Sequence, residues 1–331
     1  MYPFLKKIKA ALLPALCIVV LTSCSSDDDP GPEPDPPVCT ADTLSAGWSN
    51  VAVDPVALSD VFFKDNNNGV AAGDTGLYNS SDGGLSWSRI NNEHTYTNLF
   101  VTASGTVFGA RGELPLVSAS LNSNLYTVGS LRAMDLYFTD NNNGFATVKG
   151  PSYMMLYHTT DAGNSWTKID HHMKQVTSGY EYATLHFNDP AKGWVAYGKA
   201  VYRVNNGLIT DSVQVPTSTS YPLASIYAVS ASVVYAAGFG SEIFKSNNGG
   251  VSFVKLSSLV EGSNGYTDIH FLSEMVGYAC NYNKIFKTTD GGQSWQTVVT
   301  ICTGMVTEIH FTDATHGWAC TDKGKVYRYI Q

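Results

Sequence analysis

The sequence carries little charge and no stripe of basic residues. Only 15% of its residues are Asp, Glu, Lys or Arg, against about a quarter in a typical soluble domain. The 20 Lys and Arg are outnumbered by 28 Asp and Glu, which gives a formal net charge of −8 at pH 7. Because nucleic-acid binding depends on a basic patch or stripe, we expect no nucleic-acid partner.

Long apolar runs are also missing. The apolar stretch at residues 10–21 is shorter than the roughly 20 residues that cross a bilayer, which excludes a multi-span membrane protein. What the chain has instead is 12% aromatic residues and 30 glycines. Low charge with many aromatic, Gly-bounded segments predicts an all-β protein, and 331 residues are enough to bury a large core.

The first residues form a targeting signal. Lys6, Lys7 and Lys9 precede the apolar stretch, which ends in Leu-Thr-Ser and Cys24. This order resembles the bacterial lipobox, in which the Cys is diacylated and becomes the new N-terminus. We therefore predict a lipoprotein signal peptide at residues 1–23 and lipidation of Cys24. The alternative is an ordinary secretory signal with an incidental Cys.

The next segment, residues 24–45, reads as an extended tether. Asp27, Asp28 and Asp29 are followed by a Pro-rich run, and acidic residues and prolines cannot build a core. An acidic run after a lipidated Cys also resembles the surface-export signal of Bacteroidota lipoproteins. We expect an outer-membrane protein that is anchored only through its lipid and exposed at the cell surface. A periplasm-facing orientation is the alternative.

An internal repeat determines the predicted fold. A Phe followed by Gly six positions later recurs at Phe63, Phe138, Phe187, Phe271 and Phe311, and weaker copies begin near Asn98 and Ser225. The units start at these positions: Asp60, Asn98, Asp135, Thr184, Ser225, Asp268 and Glu308. Their mean spacing of about 41 residues is typical of propeller blades with four strands each.

A second phrase closes most units with a turn of the type Asp-Gly-Gly-x-Ser-Trp. Asp-Gly supplies positive φ angles, and the carboxylate can accept bonds from nearby backbone N–H groups. The phrase resembles the Asp-box, or BNR repeat, of sialidase-like propellers. Several copies are not needed for one active site, so we interpret these residues as structural. They are Asp82, Trp87, Asp161, Trp166, Asp290 and Trp295, and a degraded copy spans residues 246–253.

The last unit begins near Glu308 and stops at Gln331 without its own Trp strand. The segment around Trp48 has the character of that missing strand. We therefore predict that residues 46–331 form a seven-bladed β-propeller of four-stranded antiparallel blades. The N-terminal strand pairs with the last blade and leaves no open edge in the ring.

These repeats resemble the photosystem II stability/assembly-factor type of seven-bladed propeller over nearly all of residues 46–331. The resemblance implies binding of a client protein during assembly. It transfers only as a class of function, because a photosystem partner is not expected for a lipoprotein of this kind. We expect a non-catalytic, monomeric envelope or cell-surface lipoprotein whose propeller binds a protein partner or assembly client.

The alternative is a carbohydrate-active propeller, either glycan-binding or similar to glycoside hydrolases. A sialidase needs converging Arg side chains, and the five Arg here are dispersed along the chain. A glycanase needs two carboxylates that flank a cleft, and the sequence alone cannot pair candidates such as Asp268 and Glu308. We assign no catalytic residue and expect no cofactor.

Histidine and cysteine offer less direct signals. His186, His270 and His310 occupy the position that holds Phe or Tyr in the other units. A metal ring and a ring of flat side chains near the axis are both possible there. We favour the second because Phe cannot ligate, and we expect no metal. Cys280 and Cys320 are predicted to be small buried residues. Cys39 and Cys302 lie near the predicted closure, where the spacing permits a disulfide without establishing one.

The predicted binding surface is the rim opposite the Asp-boxes. Long, irregular loops are often functional, and Tyr presents a rigid amphipathic surface. The alternative is that these tyrosines only cover the blade ends. The candidate binding residues on this rim are Arg111, Lys149, Tyr153, His171, His172, Tyr180, Tyr182, Lys199 and Tyr282.

Overall fold

The computed structural model describes residues 39, 41–54, 56–90, 96–111, 114–120, 126–127, 131–150, 153–174, 183–259 and 267–331. The chain from Cys39 to Gln331 is one compact unit, and its regular elements within these ranges are strands β1 to β29. Among the residues that the structure describes, no helix has the length and apolarity needed to cross a bilayer. Cys24, Tyr180 and Tyr182 lie outside the described residues.

The described strands form seven sheets, numbered here in chain order. Sheet 1 contains β3 (Leu58–Phe63), β4 (Gly69–Gly73), β5 (Gly76–Ser80) and β6 (Ser88–Arg89). Sheet 2 contains β7 (Asn98–Val101), β8 (Thr106–Arg111), β9 (Leu114–Ser120) and β10 (Tyr126–Thr127). Sheet 3 contains β11 (Ala133–Phe138), β12 (Gly144–Lys149), β13 (Tyr153–Thr159) and β14 (Thr167–Lys174).

Sheet 4 contains β15 (Ala183–Asp189), β16 (Lys192–Tyr197), β17 (Ala200–Asn205) and β18 (Leu208–Gln214). Sheet 5 contains β19 (Leu223–Ala228), β20 (Val234–Gly238), β21 (Glu242–Ser246) and β22 (Val254–Ser258). Sheet 6 contains β23 (Thr267–Phe271), β24 (Gly277–Asn281), β25 (Lys284–Thr288), β26 (Gln296–Thr300) and β1 (Thr43–Leu44). Sheet 7 contains β27 (Val306–Asp313), β28 (His316–Thr321), β29 (Lys325–Ile330) and β2 (Trp48–Ala52).

Neighbouring strands in every sheet are antiparallel. Sheets 1 to 5 are meanders of consecutive strands, and sheets 6 and 7 add β1 and β2 at their outer edges. The strand given first for each sheet above lies innermost and is called its first strand. The first strand of each sheet contacts the first strand of the next, from β3 through β7, β11, β15, β19 and β23 to β27, and β27 contacts β3. The predicted all-β propeller is therefore confirmed. Two rims result from this topology. The "box rim" carries the turns between first and second and between third and fourth strands. The "loop rim" carries the turns between second and third strands and the connections between sheets.

The repeated Phe and Gly have a common physical origin. The repeated Phe lies at or near the end of a first strand and pairs with the Gly at or near the start of the second, as Phe187 does with Gly193. A Cβ at Gly193 would stand only 2.1 Å from Cδ1 of the Phe187 ring, so only glycine permits this close approach. The same Phe then stacks on an aromatic side chain from the preceding sheet. The stacked pairs and their centroid distances are Trp318–Phe63 at 3.7 Å, Phe145–Phe187 at 3.8 Å, Tyr235–Phe271 at 3.6 Å and Tyr278–Phe311 at 4.0 Å.

The N-terminal segment is fastened to the last two sheets. β2 pairs antiparallel with β29, with Trp48 opposite Tyr329, and β1 pairs with β26. Cys39 and Cys302 form a disulfide with their Cα atoms 5.2 Å apart. Burial of Asp42 opposes its ionisation, but bonds from the Tyr327 hydroxyl at 2.5 Å and the Cys302 N–H at 2.9 Å hold its pKa below the ordinary value.

One local prediction was wrong. His171 and His172 were expected in a loop between sheets, and the structure places both in β14, where His172 pairs with Met155. The register shifts between Met155 and Leu156 on the partner strand. This irregularity interrupts the alternation of buried and exposed residues by which a strand is recognised in a sequence.

Candidate functional site

The four turns that resemble Asp-boxes, here called box turns, are closed by their own polar groups. They span residues 80–87, 159–166, 246–253 and 288–295. In the second of them, Asp161 accepts bonds from the Ser165 N–H at 2.8 Å, the Ser165 hydroxyl at 2.6 Å and the Thr159 hydroxyl at 2.8 Å. Equivalent bonds, chiefly from Ser294, lower the pKa of Asp290 to about 2. The carboxylates are thus engaged within the turns.

The box turns also bind the preceding sheet. The Trp318 indole donates to the Gly83 carbonyl at 2.9 Å, and the Trp194 indole donates to the Gly249 carbonyl at 2.9 Å. At a third boundary the Tyr235 hydroxyl donates to the Gly291 carbonyl at 3.2 Å. Aromatic stacking and hydrogen bonding therefore act together between neighbouring sheets. The glycine carbonyls of these turns therefore take part in the contacts between neighbouring sheets.

A continuous ring of flat side chains surrounds the axis. Neighbouring members lie between 4.3 and 5.5 Å apart, measured between ring centroids. In order around the axis they are Phe62, Phe100, Tyr137, His186, Tyr227, His270 and His310. Burial lowers the pKa of His186 to about 3 and that of His310 to about 4, so both imidazoles are neutral at pH 7. The His310 Nε2 lies 2.8 Å from the Phe63 carbonyl and donates to it.

A second ring lies two residues earlier on the same strands, nearer the loop rim. It consists entirely of polar residues, and the two rings line an axial cavity of about 280 Å³. The members are Asp60, Asn98, Asp135, Thr184, Ser225, Asp268 and Glu308. We call this set the polar ring. It was not recognised as a site from the sequence, although the same seven residues mark the starts of the repeat units and none of them is apolar.

The carboxyls of the polar ring connect neighbouring sheets. Asp135 accepts a bond from the Leu185 N–H at 3.0 Å in the next sheet, and Asp268 accepts one from the Ile309 N–H at 3.1 Å. Burial raises the pKa of Asp60 and Asp135 to about 7, and the neighbouring carboxylate of Asp268 adds to the effect. The cavity thus holds acids that are partly protonated near neutral pH. Within the described part of the chain, no three or more His, Cys, Asp or Glu side chains are arranged to hold a metal ion.

The candidate residues of the loop rim differ in exposure. Tyr282 is 48% exposed in the turn between β24 and β25, with a φ of 55°. Lys149 is exposed at the end of β12. Tyr153 is partly buried and lies 5.4 Å below the Lys168 ammonium. Lys199 donates to a backbone carbonyl of the loop that follows β18, at 2.5 Å.

Arg111 differs from its neighbours on this rim. Only 6% of it is exposed, and its guanidinium lies 6.0 Å from the centroid of the Tyr96 ring. Its position at the end of β8 lets it pack inward. The structure therefore brings Arg111 into the interior and leaves Tyr282 and Lys149 at the surface.

Several solved propellers superimpose on this chain. A structure described as "YCF48 bound to D1 peptide" has a TM-score of 0.67 at 15% identity and covers 87% of this chain and 98% of its own. "YCF48 from Cyanidioschyzon merolae" has a TM-score of 0.67 at 13% identity, with coverages of 86% and 99%. The WD40 β-propeller domain of Doa1 has a TM-score of 0.69 at 12% identity, with coverages of 88% and 98%.

These likenesses confirm the propeller fold and its similarity to the two YCF48 structures. Identities this low show a shared fold and do not transfer a function. No protein-family model matches the chain, and no curated protein matches it.

Proposed function

We propose that the chain is a non-catalytic envelope lipoprotein whose propeller binds a protein partner through the loop rim. In this proposal the seven sheets are the blades of one closed ring, and the Trp48 strand completes the last blade. Residues 1–23 direct export, Cys24 carries the lipid, and the tether is the part of residues 24–45 that precedes Cys39, since Cys39 and β1 belong to the compact unit. The ring contacts between β27 and β3 and the pairing of β2 with β29 support the closure.

The observation that carries the proposal is that the two rims differ in which polar and aromatic groups they leave available to a partner. On the box rim the turn carboxylates are engaged in their own turns. The axial cavity is lined by the aromatic ring and by the polar ring, which lies on the loop-rim side of the aromatic ring, and the loop rim presents the exposed Tyr282. Concave surfaces with nearby exposed tyrosines are typical of binding sites. The peptide-bound neighbour shows that a propeller of this shape can hold a peptide.

The lipid anchor would reach the propeller at the same rim. Cys39 is bonded to Cys302, in the connection between β26 and β27, and connections between sheets belong to the loop rim. In this proposal the lipid on Cys24 anchors the protein in the outer membrane. Envelope proteins of that membrane are therefore the partners that we expect.

Affinity purification of the full-length protein from detergent-solubilised membranes tests the proposal. We expect one or a few proteins to co-purify, and Tyr282→Ser to reduce their recovery. Leu85→Ser is the matched control, because Leu85 is 59% exposed in a box turn on the other rim. Equal loss with both substitutions, or a glycan as the ligand retained by the wild type, would contradict the proposed function.

Lipidation and orientation need a separate measurement. Metabolic labelling with a fatty-acid analogue should mark the wild type, and Cys24→Ser should abolish the label. Protease treatment of intact cells should remove the propeller if it faces outward. Protection from the protease would show the periplasm-facing orientation instead.

A further inference from the structure

The boundary between sheets 4 and 5 contains a second cavity, on the box rim. It has a volume of about 260 Å³ and is lined mainly by polar residues. Those that matter here are Lys192, Arg203, Ser232 and Asn248. This cavity is separate from the axial cavity and from the loop rim, so its interpretation does not depend on the proposed function.

Two cationic groups in this cavity have hydrogen-bond donors that no described residue accepts. Lys192 is partly buried, and among the described residues its ammonium has no hydrogen-bond or ion-pair partner. The ammonium reaches over the box turn, 3.9 Å from where a Cβ on Gly249 would stand. Arg203 uses Nε and Nη2 to bind Asp211, which leaves Nη1 without a bond among the described residues. Within the described part of the chain, the Lys192 ammonium and Nη1 of Arg203 therefore remain able to donate to a ligand.

The boundary between sheets 7 and 1 provides an internal comparison. Its residue equivalent to Lys192 is His316, which lies 3.1 Å from Asp313. Its residue equivalent to Arg203 is Arg328, which donates to the Gly83 carbonyl at 2.7 Å. Burial lowers the pKa of Arg328, and the nearby Asp82 carboxylate opposes this. Asp313 has an equivalent in sheet 4, Asp189, so the carboxylate that distinguishes the boundary between sheets 7 and 1 is Asp82.

The cavity between sheets 4 and 5 lacks the corresponding carboxylate. Asn248 occupies the position of Asp82, Asp161 and Asp290, and its amide makes the same turn, with Oδ1 accepting from the Ser252 N–H at 3.0 Å. The substitution of Asn for Asp removes one negative charge from the cavity wall and keeps the turn. Two carboxylates lie on the same strands as the cations. Asp211 is bound to Arg203, and the exposed Asp189 pairs with Lys192 across the turn, where its Oδ1 accepts from the Ala191 N–H at 2.7 Å.

We infer that this cavity is a binding site for a small oxyanion, a carboxylate or phosphate group. Lys192 and Nη1 of Arg203 would supply charge-assisted hydrogen bonds, and the Ser232 hydroxyl is a further donor at the cavity wall. The missing box-turn carboxylate would be the reason that an external anion is accepted here. The same anion would be repelled at the boundaries where Asp is present.

The indole N–H groups of Trp194 and Trp318 allow a direct test by nuclear magnetic resonance. Both donate to a box-turn Gly carbonyl, Trp194 beside the proposed site and Trp318 at the comparison boundary. The full-length protein is titrated with sodium phosphate and, separately, with sodium acetate at constant ionic strength. We expect the Trp194 signal to shift in a saturable way, while the Trp318 signal stays unchanged. A stronger response to phosphate or to acetate identifies the class of natural ligand.

Three variants complete the test. Lys192→Gln and Asn248→Asp should each weaken binding by roughly tenfold or more, because each changes one charge at the site. Asn248→Asp restores the residue found in the other box turns, so a loss of binding cannot be attributed to misfolding. His316→Gln should leave binding unchanged. The inference is overturned if neither anion shifts the Trp194 signal saturably, if Trp318 responds equally, or if Asn248→Asp binds as tightly as the wild type.

Discussion

Replacement of Asp135 by Asn should change how the stability of the propeller depends on pH. Asp135 is only 6% exposed in the polar ring. Its carboxylate accepts bonds from the Leu136 N–H at 2.7 Å and the Leu185 N–H at 3.0 Å. Burial outweighs these bonds and raises its pKa from the ordinary value of 3.8 to about 7.

The sign of the effect follows from the two pKa values. The carboxyl keeps its proton in the folded protein at pH values where the unfolded chain has already released it. The free energy of unfolding therefore falls as the pH rises from about 4 to about 7, and is constant above that. A difference of about 3 pH units corresponds to about 4 kcal/mol for this one group, as an upper magnitude.

Asn cannot ionise, so Asp135→Asn should remove this contribution. The amide can accept only one of the two N–H bonds, which costs about 1–3 kcal/mol at every pH. The variant should thus be less stable than the wild type at pH 4.5 and should equal or exceed it at pH 8. Urea unfolding followed by tryptophan fluorescence, at several pH values between these limits, measures the difference.

Asp290→Asn is the matched control, because the pKa of Asp290 is lowered in the folded protein whereas that of Asp135 is raised. Hydrogen bonds from Ser294 lower the pKa of Asp290 to about 2, so its contribution to stability is present above the unfolded pKa and is lost as the pH falls below about 4. Asp290→Asn should therefore be destabilised by a constant amount between pH 4.5 and pH 8. The reasoning is refuted if the Asp135→Asn and wild-type curves run parallel over that range.

Three further substitutions test the contacts that hold the ring together. Cys39→Ser with Cys302→Ser should lower the free energy of unfolding by on the order of 5 kcal/mol at most, because the disulfide joins residues 263 positions apart; an unchanged melting temperature would contradict this. Gly193→Ala should lower the free energy of unfolding by at least about 1–3 kcal/mol, because its Cβ would overlap the adjacent Phe ring. Gly238→Ala is the control: its Cβ would meet nothing closer than 3.8 Å, so the melting temperature should change little. Trp318→Phe keeps the aromatic stacking and removes the indole hydrogen bond to the Gly83 carbonyl. Its free energy of unfolding in urea should be about 1 kcal/mol lower than that of the wild type. A wild-type urea midpoint would show that this bond is dispensable.

The repeat architecture could be predicted because a physical contact imposes the repeated spacing. Phe187 lies over Gly193 on the paired strand, and the same overlap requires the same two residues in five of the units. The His residues at the aromatic position were recognised for a similar reason. His186 and His310 share a register with Phe62, and the sequence comparison reveals that register directly.

The polar ring could not be predicted in the same way. The bond from the Leu99 N–H to Asp60 joins residues 39 positions apart in neighbouring sheets, and no local pattern encodes such a pair. That the unit starts are polar was visible in the sequence. That they face a common axis depends on how the sheets are arranged around it. The burial of Arg111 was missed for the same reason, since its packing on Tyr96 involves the connection between two sheets.

Photo-crosslinking in living cells tests the central claim, that the loop rim binds a protein partner, most directly. A photoreactive phenylalanine analogue replaces Tyr282 on the loop rim in one strain and Leu85 on the box rim in another, both being exposed side chains. The account predicts a discrete protein adduct from position 282 and none from position 85. An adduct from position 85 alone, or no adduct from position 282 in cells with normal levels of the protein, would contradict it.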